Sequence, residues 1–249
     1  MTDSSPLLLS LDTATKCSTV ALTRGTLMDG EVLACLSLSS SITHSRRIIN
    51  VVERLFLETE TEWTDIGAIA VGMGPGSFTG LRIGMATAKG FAAAAEKDLI
   101  GVSTLDALAS MCVTDKTILA VMDARKKQVY TAAYKCDSKN SSPVRHGDIR
   151  VVSPERIAME ITEEVVMVGD GVITYADFWS EKLGNMVRFA PMHLHAPSAS
   201  AVGLLCGELL NKGCCIDVAA ATPLYVRASD AELSLTDKKK EKPQTGVKS

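Results

Sequence analysis

The chain has 249 residues, 46% of them hydrophobic, and a formal net charge of -3. These values exclude bulk disorder and any chain-wide electrostatic attraction to nucleic acid, and the length can bury one large core or two modest ones. Seven cysteines without Cys-x-x-Cys spacing support neither a disulfide framework nor a zinc site. Residues Met1–Pro6 carry no basic segment and the Leu7–Leu9 run is too short to span a membrane, so we expect a soluble, cytoplasmic protein.

The chain begins with a predicted hairpin whose first strand ends on an acidic residue. The apolar run Leu7 to Leu11 leads into Asp12, a polar turn follows, and Thr19 to Thr23 forms the return strand. The next expected elements are a third strand and an amphipathic helix, Glu31–Leu38 and His44–Glu58.

A cluster of glycines separates the next strand, Asp65 to Val71, from a helix predicted over Leu81 to Lys97. Residues 72–80 include four glycines and a proline, which allow tight turns and close backbone approach. No Gly-Lys-Ser/Thr sequence follows Gly74, so the turn is not a Walker phosphate loop. Two interpretations stay open, an anion site at the helix N-terminus and a turn that only permits tight packing.

The predicted helix after this turn carries small residues at every fourth position: Gly80, Gly84, Ala88 and Ala92. Residues with this spacing share one face of a helix and form a nearly bare ridge that another element can approach closely. The spacing favours equally a ridge that packs inside this chain and one that packs on a separate protein.

The second half of the chain repeats the pattern of the first. Thr117 to Tyr134 follows the order of Leu7 to Thr23, with Asp123 in the place of Asp12, and Val165–Gly171 echoes the strand and glycine turn. We therefore predict an α/β fold of two duplicated lobes and a polar tail, and leave open whether the last helix packs back on the first lobe. The expected ranges are 1–107, 108–231 and 232–249.

This arrangement resembles the ATP site of sugar kinases, actin and Hsp70, in which each of two lobes supplies a strand, an acidic residue and a turn. Their turns generally use glycine, so that backbone N–H groups reach the phosphates. Here Thr13–Thr15 and Ala124–Lys127 occupy that space. This favours the interpretation that Asp12, Thr13 and Asp123 are remnants of a nucleotide site, in which the two carboxylates accept hydrogen bonds from their own turns. The disfavoured alternative is an ATP-dependent transferase or kinase that uses both aspartates.

The remaining polar residues give no separate active site. None of the four histidines pairs with another at metal-binding spacing on one helix, and His193 and His195 are expected to be a solvated pair in a loop. The lysines at Lys238–Lys240 and Lys242 favour a solvated tail over an RNA-binding arm.

Four segments together resemble the bacterial TsaB family: Leu11–Ala14, His44–Arg46, Gly72–Arg82 and Pro223–Arg227. The resemblance runs from about Leu7 to Arg227. It implies a two-lobed, ribonuclease H-like actin-like ATPase fold. It also implies a non-catalytic subunit that acts in forming N6-threonylcarbamoyladenosine at position 37 of tRNA.

The resemblance further implies three partners. A TsaD-like paralogue carries the metal and performs the transfer, a TsaE-like ATPase assists, and tRNA is reached through the complex. No metal or cofactor is expected in this chain, since ATP and metal belong to the partner subunits, and no membrane partner is expected. Self-association of the isolated chain stays open, and an older-style assignment as a glycoprotein peptidase is disfavoured because the sequence places no nucleophile beside a base.

Helix pairing in the family implies which residues contact the TsaD-like partner. Carried to this chain, it involves the helix from His44 to Glu58 and the ridge helix that follows the glycine turn. The expected contact residues are His44, Arg47, Ile48, Val51, Gly80, Gly84, Ala88 and Phe91.

Overall fold

The computed structural model of the chain describes residues 5–39, 44–136 and 142–227, and only the backbone of residues 44–47. The predicted polar tail and the side chains of His44 and Arg47 lie outside the described residues.

The first lobe is built on a mixed five-stranded sheet. Its strands are β1 (Leu7–Asp12), β2 (Cys17–Arg24), β3 (Glu31–Ser39), β4 (Ile66–Gly72) and β5 (Asp98–Val102). The order is β3-β2-β1-β4-β5, with β1, β2 and β3 antiparallel in turn and β4 and β5 parallel to β1. All six residues of β1 are buried, so side chains on both faces of this sheet are covered.

Three helices follow the strands of this lobe: α1 (His44–Glu58), α2 (Phe78–Ala95) and α3 (Thr104–Ser110). The face that carries Leu9 and Leu11 packs against α1 and α2 in one apolar cluster. Helix α2 begins three residues before its predicted start, because Ser77 Oγ accepts a 3.3 Å hydrogen bond from the Gly80 N–H and caps the helix.

The second lobe has the same plan. Its strands are β6 (Thr117–Arg125), β7 (Gln128–Cys136), β8 (Pro143–Val152), β9 (Val165–Val168) and β10 (Val187–Phe189). Its helices are α4 (Pro154–Glu160), α5 (Asp170–Thr174) and α6 (Ala176–Leu183), with short 3₁₀ turns at Gly184–Met186 and Met192–Leu194. Read from its other edge, the strand order is β8-β7-β6-β9-β10, which is the first order with each number raised by five.

This repeated topology confirms the predicted duplication. In each lobe an antiparallel meander of three strands is extended by two strands parallel to the first, which is the ribonuclease H-like arrangement. Two such lobes in one chain make the predicted α/β, actin-like ATPase fold.

Two helices join the lobes. The last described helix, α7 (Ala199–Asn211), packs on the first sheet, where Val202 and Cys206 share a cluster with Leu8 and Ile100. The predicted lobe boundary after residue 107 falls inside α3, whose Leu105 packs with apolar residues of the second sheet. The two lobes therefore share one continuous packing interface.

Candidate functional site

The acidic residue of the first hairpin, Asp12, is fully buried at the end of β1. Its Oδ1 accepts a 2.7 Å hydrogen bond from the Ala14 N–H, and its Oδ2 accepts a 2.7 Å bond from the Thr104 hydroxyl. Burial, only partly offset by these two bonds, raises the pKa of Asp12 to about 6. The carboxyl group is enclosed by its own chain and makes no contact with solvent.

The turn after Asp12 packs directly on the glycine turn that begins α2. The Thr13 hydroxyl donates a 2.7 Å hydrogen bond to the Gly80 carbonyl, and the Ser77 N–H donates a 2.7 Å bond to the Ala14 carbonyl. A Cβ atom on Gly80 would collide with the Thr13 carbonyl, so only glycine permits this approach. Of the two interpretations of the glycine turn, the geometry favours tight packing over an anion site.

Apolar side chains fill the space between the two hairpins. Ala14 of the first turn and Leu81 of α2 belong to one buried cluster with Leu105 of α3 and with Ile118 and Met122 of β6. The space between the lobes is therefore closed by the chain's own core, and we call this region the closed cleft.

The acidic residue of the second hairpin, Asp123, is half-buried in β6. Its Oδ1 accepts a 2.9 Å hydrogen bond from the Arg125 N–H, as Asp12 does from its own turn. The Asp123 N–H donates a 2.9 Å bond to Oδ1 of Asp170, whose pKa is raised mainly by burial. The turn itself holds three exposed basic residues with positive φ: Arg125, Lys126 and Lys127.

The segment after α7 crosses from one lobe to the other, a link that the sequence did not predict. The Leu224 N–H donates a 2.8 Å hydrogen bond to the Met73 carbonyl beside the glycine turn. Arg227 Nη1 then donates a 3.1 Å bond to Gln128 Oε1 at the start of β7. The segment therefore ties the glycine turn of the first lobe to the hairpin of the second.

An aromatic contact holds this crossing segment. The ring of Tyr225 lies 5.0 Å from that of Phe78, the first residue of α2. The Arg82 guanidinium lies 3.9 Å from the Phe78 ring centroid, and its Nε donates a 3.3 Å hydrogen bond to the Tyr225 hydroxyl.

The small-residue ridge of α2 faces inward, which corrects its predicted role in partner binding. Gly80, Gly84 and Ala88 are buried, and a Cβ atom on Gly84 would collide with the Thr13 hydroxyl oxygen. The ridge is bare because the first hairpin and the sheet pack against it. These three residues are not available to a second protein while the chain keeps this fold.

The predicted contact residues on the other helix are also largely internal. Ile48 and Val51 of α1 are buried in the core of the first lobe, which corrects their assignment to a partner surface. On α2, the remaining predicted contact residue, Phe91, is half-buried and lies 5.2 Å, centroid to centroid, from the Trp63 ring.

The outward side of α1 and α2, with the segment that follows α1, exposes several apolar and small residues. Leu57 is 69% exposed, Ile49 50% and Trp63 39%. On α2 the exposed residues include Ala86, Gly90 and Ala94, which again recur every four positions. We call this surface the α1–α2 face and define it by Ile49, Leu57, Trp63, Ala86, Gly90 and Ala94.

Helix α2 thus carries two small-residue ridges on opposite sides. A Cβ atom on Gly90 would meet nothing within 4 Å, so contacts inside the chain do not require glycine there. Glycine in a helix interior is less favourable than alanine by about 1 kcal/mol. The sequence alone could have indicated the second ridge, because Gly90 lowers the helix propensity of α2 and does not belong to the buried ridge.

Comparison with known proteins relates this fold to a defined family. Residues 38–235 match the family model TsaD: tRNA N6-adenosine threonylcarbamoyltransferase. The tRNA threonylcarbamoyladenosine biosynthesis protein TsaB of Escherichia coli is 34% identical over 239 residues, which covers 93% of this chain and 99% of that protein. The chain belongs to the TsaB family. The Haemophilus influenzae TsaB is 30% identical, over 88% of this chain and 93% of that protein.

Solved structures agree with this family assignment. YeaZ from Pseudomonas aeruginosa superposes with a TM-score of 0.73 at 27% identity and covers 88% of this chain and 99% of that one. A second Pseudomonas aeruginosa structure, described as an uncharacterized protein with similarity to peptidase YEAZ, gives a TM-score of 0.74 at 26% identity, over 89% and 100% of the two chains.

The described part of this TsaB-family chain offers neither a cluster of metal ligands nor a helix fit to span a membrane. Across residues 5–39, 44–136 and 142–227, no group of three His, Cys, Asp or Glu side chains could hold a metal ion. Within the same ranges, none of the helices combines the length and the hydropathy that crossing a membrane requires.

The histidine pair departs from expectation. His195 is buried, and its Nδ1 accepts a 3.1 Å hydrogen bond from the Gly169 N–H, so the prediction of a solvated pair is wrong for this residue. Burial lowers the pKa of His195. Its ring supports the glycine turn that precedes α5, while His193 is exposed.

Proposed function

We propose that this TsaB-family chain is a non-catalytic subunit of the complex that forms N6-threonylcarbamoyladenosine in tRNA, where it docks and activates a TsaD-like paralogue. The observation that carries the proposal is the α1–α2 face, with exposed apolar side chains beside a small-residue ridge that the chain itself does not cover. The names of the TsaB relatives supply the pathway.

Support for a non-catalytic role comes from the closed cleft. Asp12 is enclosed by Ala14 and Thr104, and the Thr13 hydroxyl is bonded to the Gly80 carbonyl. A nucleotide in the position typical of this fold class would have to displace the buried cluster around Leu81. We infer that Asp12, Thr13 and Asp123 are structural remnants of a nucleotide site.

Support for docking comes from the shape of the α1–α2 face. Helices of 15 and 18 residues are about 22 and 27 Å long, so side by side they offer a surface on the scale of a standard interface, about 800 Å² per partner. The small residues Ala86, Gly90 and Ala94 permit another helix to approach α2 closely. A paralogue with the same fold carries corresponding helices, so a pseudo-symmetric helix pairing is the expected geometry.

The same face can pair two copies of this chain when the paralogue is absent, since an uncovered apolar face favours association. In the assembled complex we place ATP and metal in the partner subunits, a TsaE-like ATPase beside the pair, and tRNA in contact with the complex as a whole. Because the assembly acts on tRNA, we infer that it is cytoplasmic.

Reconstitution tests the proposal. This chain, a TsaD-like paralogue, a TsaE-like ATPase, unmodified tRNA and a source of threonylcarbamoyl-AMP are combined, and modified adenosine is measured with each component omitted in turn. Modification is expected to need both this chain and the paralogue, and this chain alone is expected to give none. Modification by this chain alone, or full modification without it, would overturn the proposal.

A further inference from the structure

The second lobe contains a cavity of about 410 Å³ that is separate from the α1–α2 face and from the closed cleft. It lies against the outer face of the second sheet, between that sheet and α4, and its wall includes Leu119 of β6, Thr131 of β7 and Ile157 of α4. The volume falls within the range typical of small-molecule sites, about 300–1,000 Å³.

The cavity exists because α4 is short. Helix α4 follows the third strand of its sheet, as α1 does in the first lobe, but it has 7 residues where α1 has 15. Helix α1 buries Ile48, Val52 and Leu55 on its sheet, whereas α4 buries only Pro154 and Ile157. Part of the second sheet is therefore left without a covering helix.

A bulge in β8 shapes one edge of the cavity. The pairing advances two residues along β7, from Thr131 to Ala133, while it advances four along β8, from Arg150 to His146. Gly147 lies within this bulge with a φ of +81°. Bulges of this kind redirect side chains and are frequent beside binding sites. This one places His146 and Asp148 on the cavity wall.

Thr131 gives the cavity wall an unsatisfied polar group. The residue is 2% exposed, and its hydroxyl oxygen has no hydrogen-bond partner among the residues that the structure describes. Buried polar side chains nearly always have a partner, so an orphaned hydroxyl on a cavity wall points to a bound molecule. A hydroxyl can both donate and accept, and it pairs with an amine or an alcohol equally well.

One charged group on the wall is uncompensated, and it favours a cation. Its carboxylates are Asp148, Glu160 and Glu163, against one guanidinium, that of Arg150. Arg150 is occupied, since its Nη1 and Nη2 donate to the two carboxylate oxygens of Glu160 at 3.3 and 2.7 Å. Glu160 also accepts a 2.7 Å hydrogen bond from Arg156 Nε. Glu163 lies 3.5 Å from the Lys135 ammonium and accepts a 2.7 Å hydrogen bond from Thr117. In the part of the chain that the structure describes, no partner is recorded for Asp148, which leaves this carboxylate free to bind an ammonium group.

We propose that this cavity binds a small aliphatic ammonium compound that carries a second hydrogen-bonding group. Its carbon chain packs on Leu119, Ile157 and Ile161, its ammonium group donates to Asp148, and its second polar group pairs with the Thr131 hydroxyl. The site is independent of the proposed docking of a paralogue, because its wall belongs entirely to the second lobe.

Four probes with the same five-carbon chain separate these features: 5-amino-1-pentanol, pentylamine, 1,5-pentanediol and 5-hydroxypentanoate. Binding to the full chain is followed by NMR of labelled Ile, Leu and Val methyl groups, read at Leu119, Ile157, Ile161 and Val165. The aminoalcohol is expected to shift these methyl resonances saturably and to bind more tightly than pentylamine or the diol. The anionic probe is expected to cause no shift.

Variants then assign the contacts. Thr131→Val keeps the side-chain shape, removes the hydroxyl and is expected to weaken aminoalcohol binding about five- to tenfold. Asp148→Asn is expected to abolish the preference for 5-amino-1-pentanol over 1,5-pentanediol. Asp177→Asn, a matched change on α6 outside the cavity, is expected to leave binding unchanged.

Several results would overturn this assignment. They are an absence of shifts with every probe, equal binding of the diol and the aminoalcohol, or preferential binding of the anion. If Thr131→Val does not fold, Asp148→Asn and Ala133→Leu, which fills the cavity, decide the matter. Unchanged aminoalcohol binding in both of those variants would contradict the site.

Discussion

Thr104 of α3 donates a 2.7 Å hydrogen bond to the buried carboxylate of Asp12 at the end of β1. This bond joins the first hairpin to the helix on the boundary between the lobes. It leaves neither oxygen of this carboxylate unpaired, since the other oxygen accepts a hydrogen bond from the Ala14 N–H.

We predict a pH-dependent contribution of Asp12 to stability. The pKa of Asp12 is about 6 in the folded protein, against 3.8 for a solvent-exposed aspartate. Between these two pH values the folded protein therefore binds more protons than the unfolded chain. The contribution of Asp12 is therefore complete below about pH 4 and is lost as the pH rises through about 6. At 1.36 kcal/mol per pKa unit, the loss is about 3 kcal/mol.

Urea denaturation of the parent chain and of Asp12→Asn from pH 4 to pH 8 measures this contribution as a difference between two curves. The difference in the free energy of unfolding is expected to fall by about 2 to 3 kcal/mol toward neutral pH. Thr104→Val removes a donor to the ionised form and is expected to move the fall to higher pH. Parallel curves for parent and Asp12→Asn would contradict the prediction.

The two ridges of α2 are expected to respond oppositely to a single methyl group. Gly84→Ala forces a Cβ atom against the Thr13 hydroxyl and is expected to destabilise the chain by about 1 to 3 kcal/mol. Gly90→Ala projects into open space and is expected to stabilise it by about 0.5 to 1 kcal/mol. Chemical denaturation of both variants at one pH compares them, and equal effects at the two positions would show that the ridges are not distinct.

Docking is expected to depend on the α1–α2 face and not on the buried ridge of α2. Leu57→Asp and Gly90→Leu are expected to weaken co-purification with a TsaD-like paralogue at least tenfold, because a charge or a bulky side chain then stands in the interface. Met159→Asp, at a residue 79% exposed on α4, is the matched control and is expected to bind normally. Circular dichroism verifies that each variant is folded. Normal binding by both α1–α2 variants would count against the proposed surface.

The isolated chain is expected to give no calorimetric signal with Mg-ATP. Binding would require the buried cluster of Ala14, Leu81 and Leu105 to open. Contacts with the nucleotide would not offset the cost of separating these side chains, because they do not contact it in the closed state. Titration of the TsaD-like paralogue under the same conditions serves as the positive control. Micromolar binding to this chain would favour the alternative of an active transferase or kinase.

The segment that crosses the lobes is expected to stabilise their arrangement through Tyr225. Tyr225→Ala removes the ring contact with Phe78 and the acceptor of the Arg82 hydrogen bond, and it is expected to lower the free energy of unfolding by about 1 to 2 kcal/mol. Tyr225→Phe keeps the ring and is expected to lose less than half of that amount. Denaturation curves compare the three chains, and an equal loss in both variants would assign the effect to the hydroxyl group instead.

Much of the fold could be predicted from local sequence patterns. Apolar runs that end in Asp12 and Asp123, each followed by a polar turn and a return strand, determine two hairpins because strand and turn preferences act over a few residues. Their repetition along the chain was enough to predict two lobes of the same topology. The hydrogen bonds from each turn to its aspartate also follow from local geometry.

Surfaces could not be predicted in the same way. Gly80 and Gly84 recur with the same spacing as Ala86, Gly90 and Ala94, so the sequence alone identifies α2 as a helix with bare ridges but not which ridge faces inward. The packing of the first hairpin on α2 decides that question, and it brings together residues far apart in the chain. The cavity of the second lobe likewise depends on how far α4 covers a sheet, a relationship between elements that becomes visible only when the tertiary structure sets them side by side.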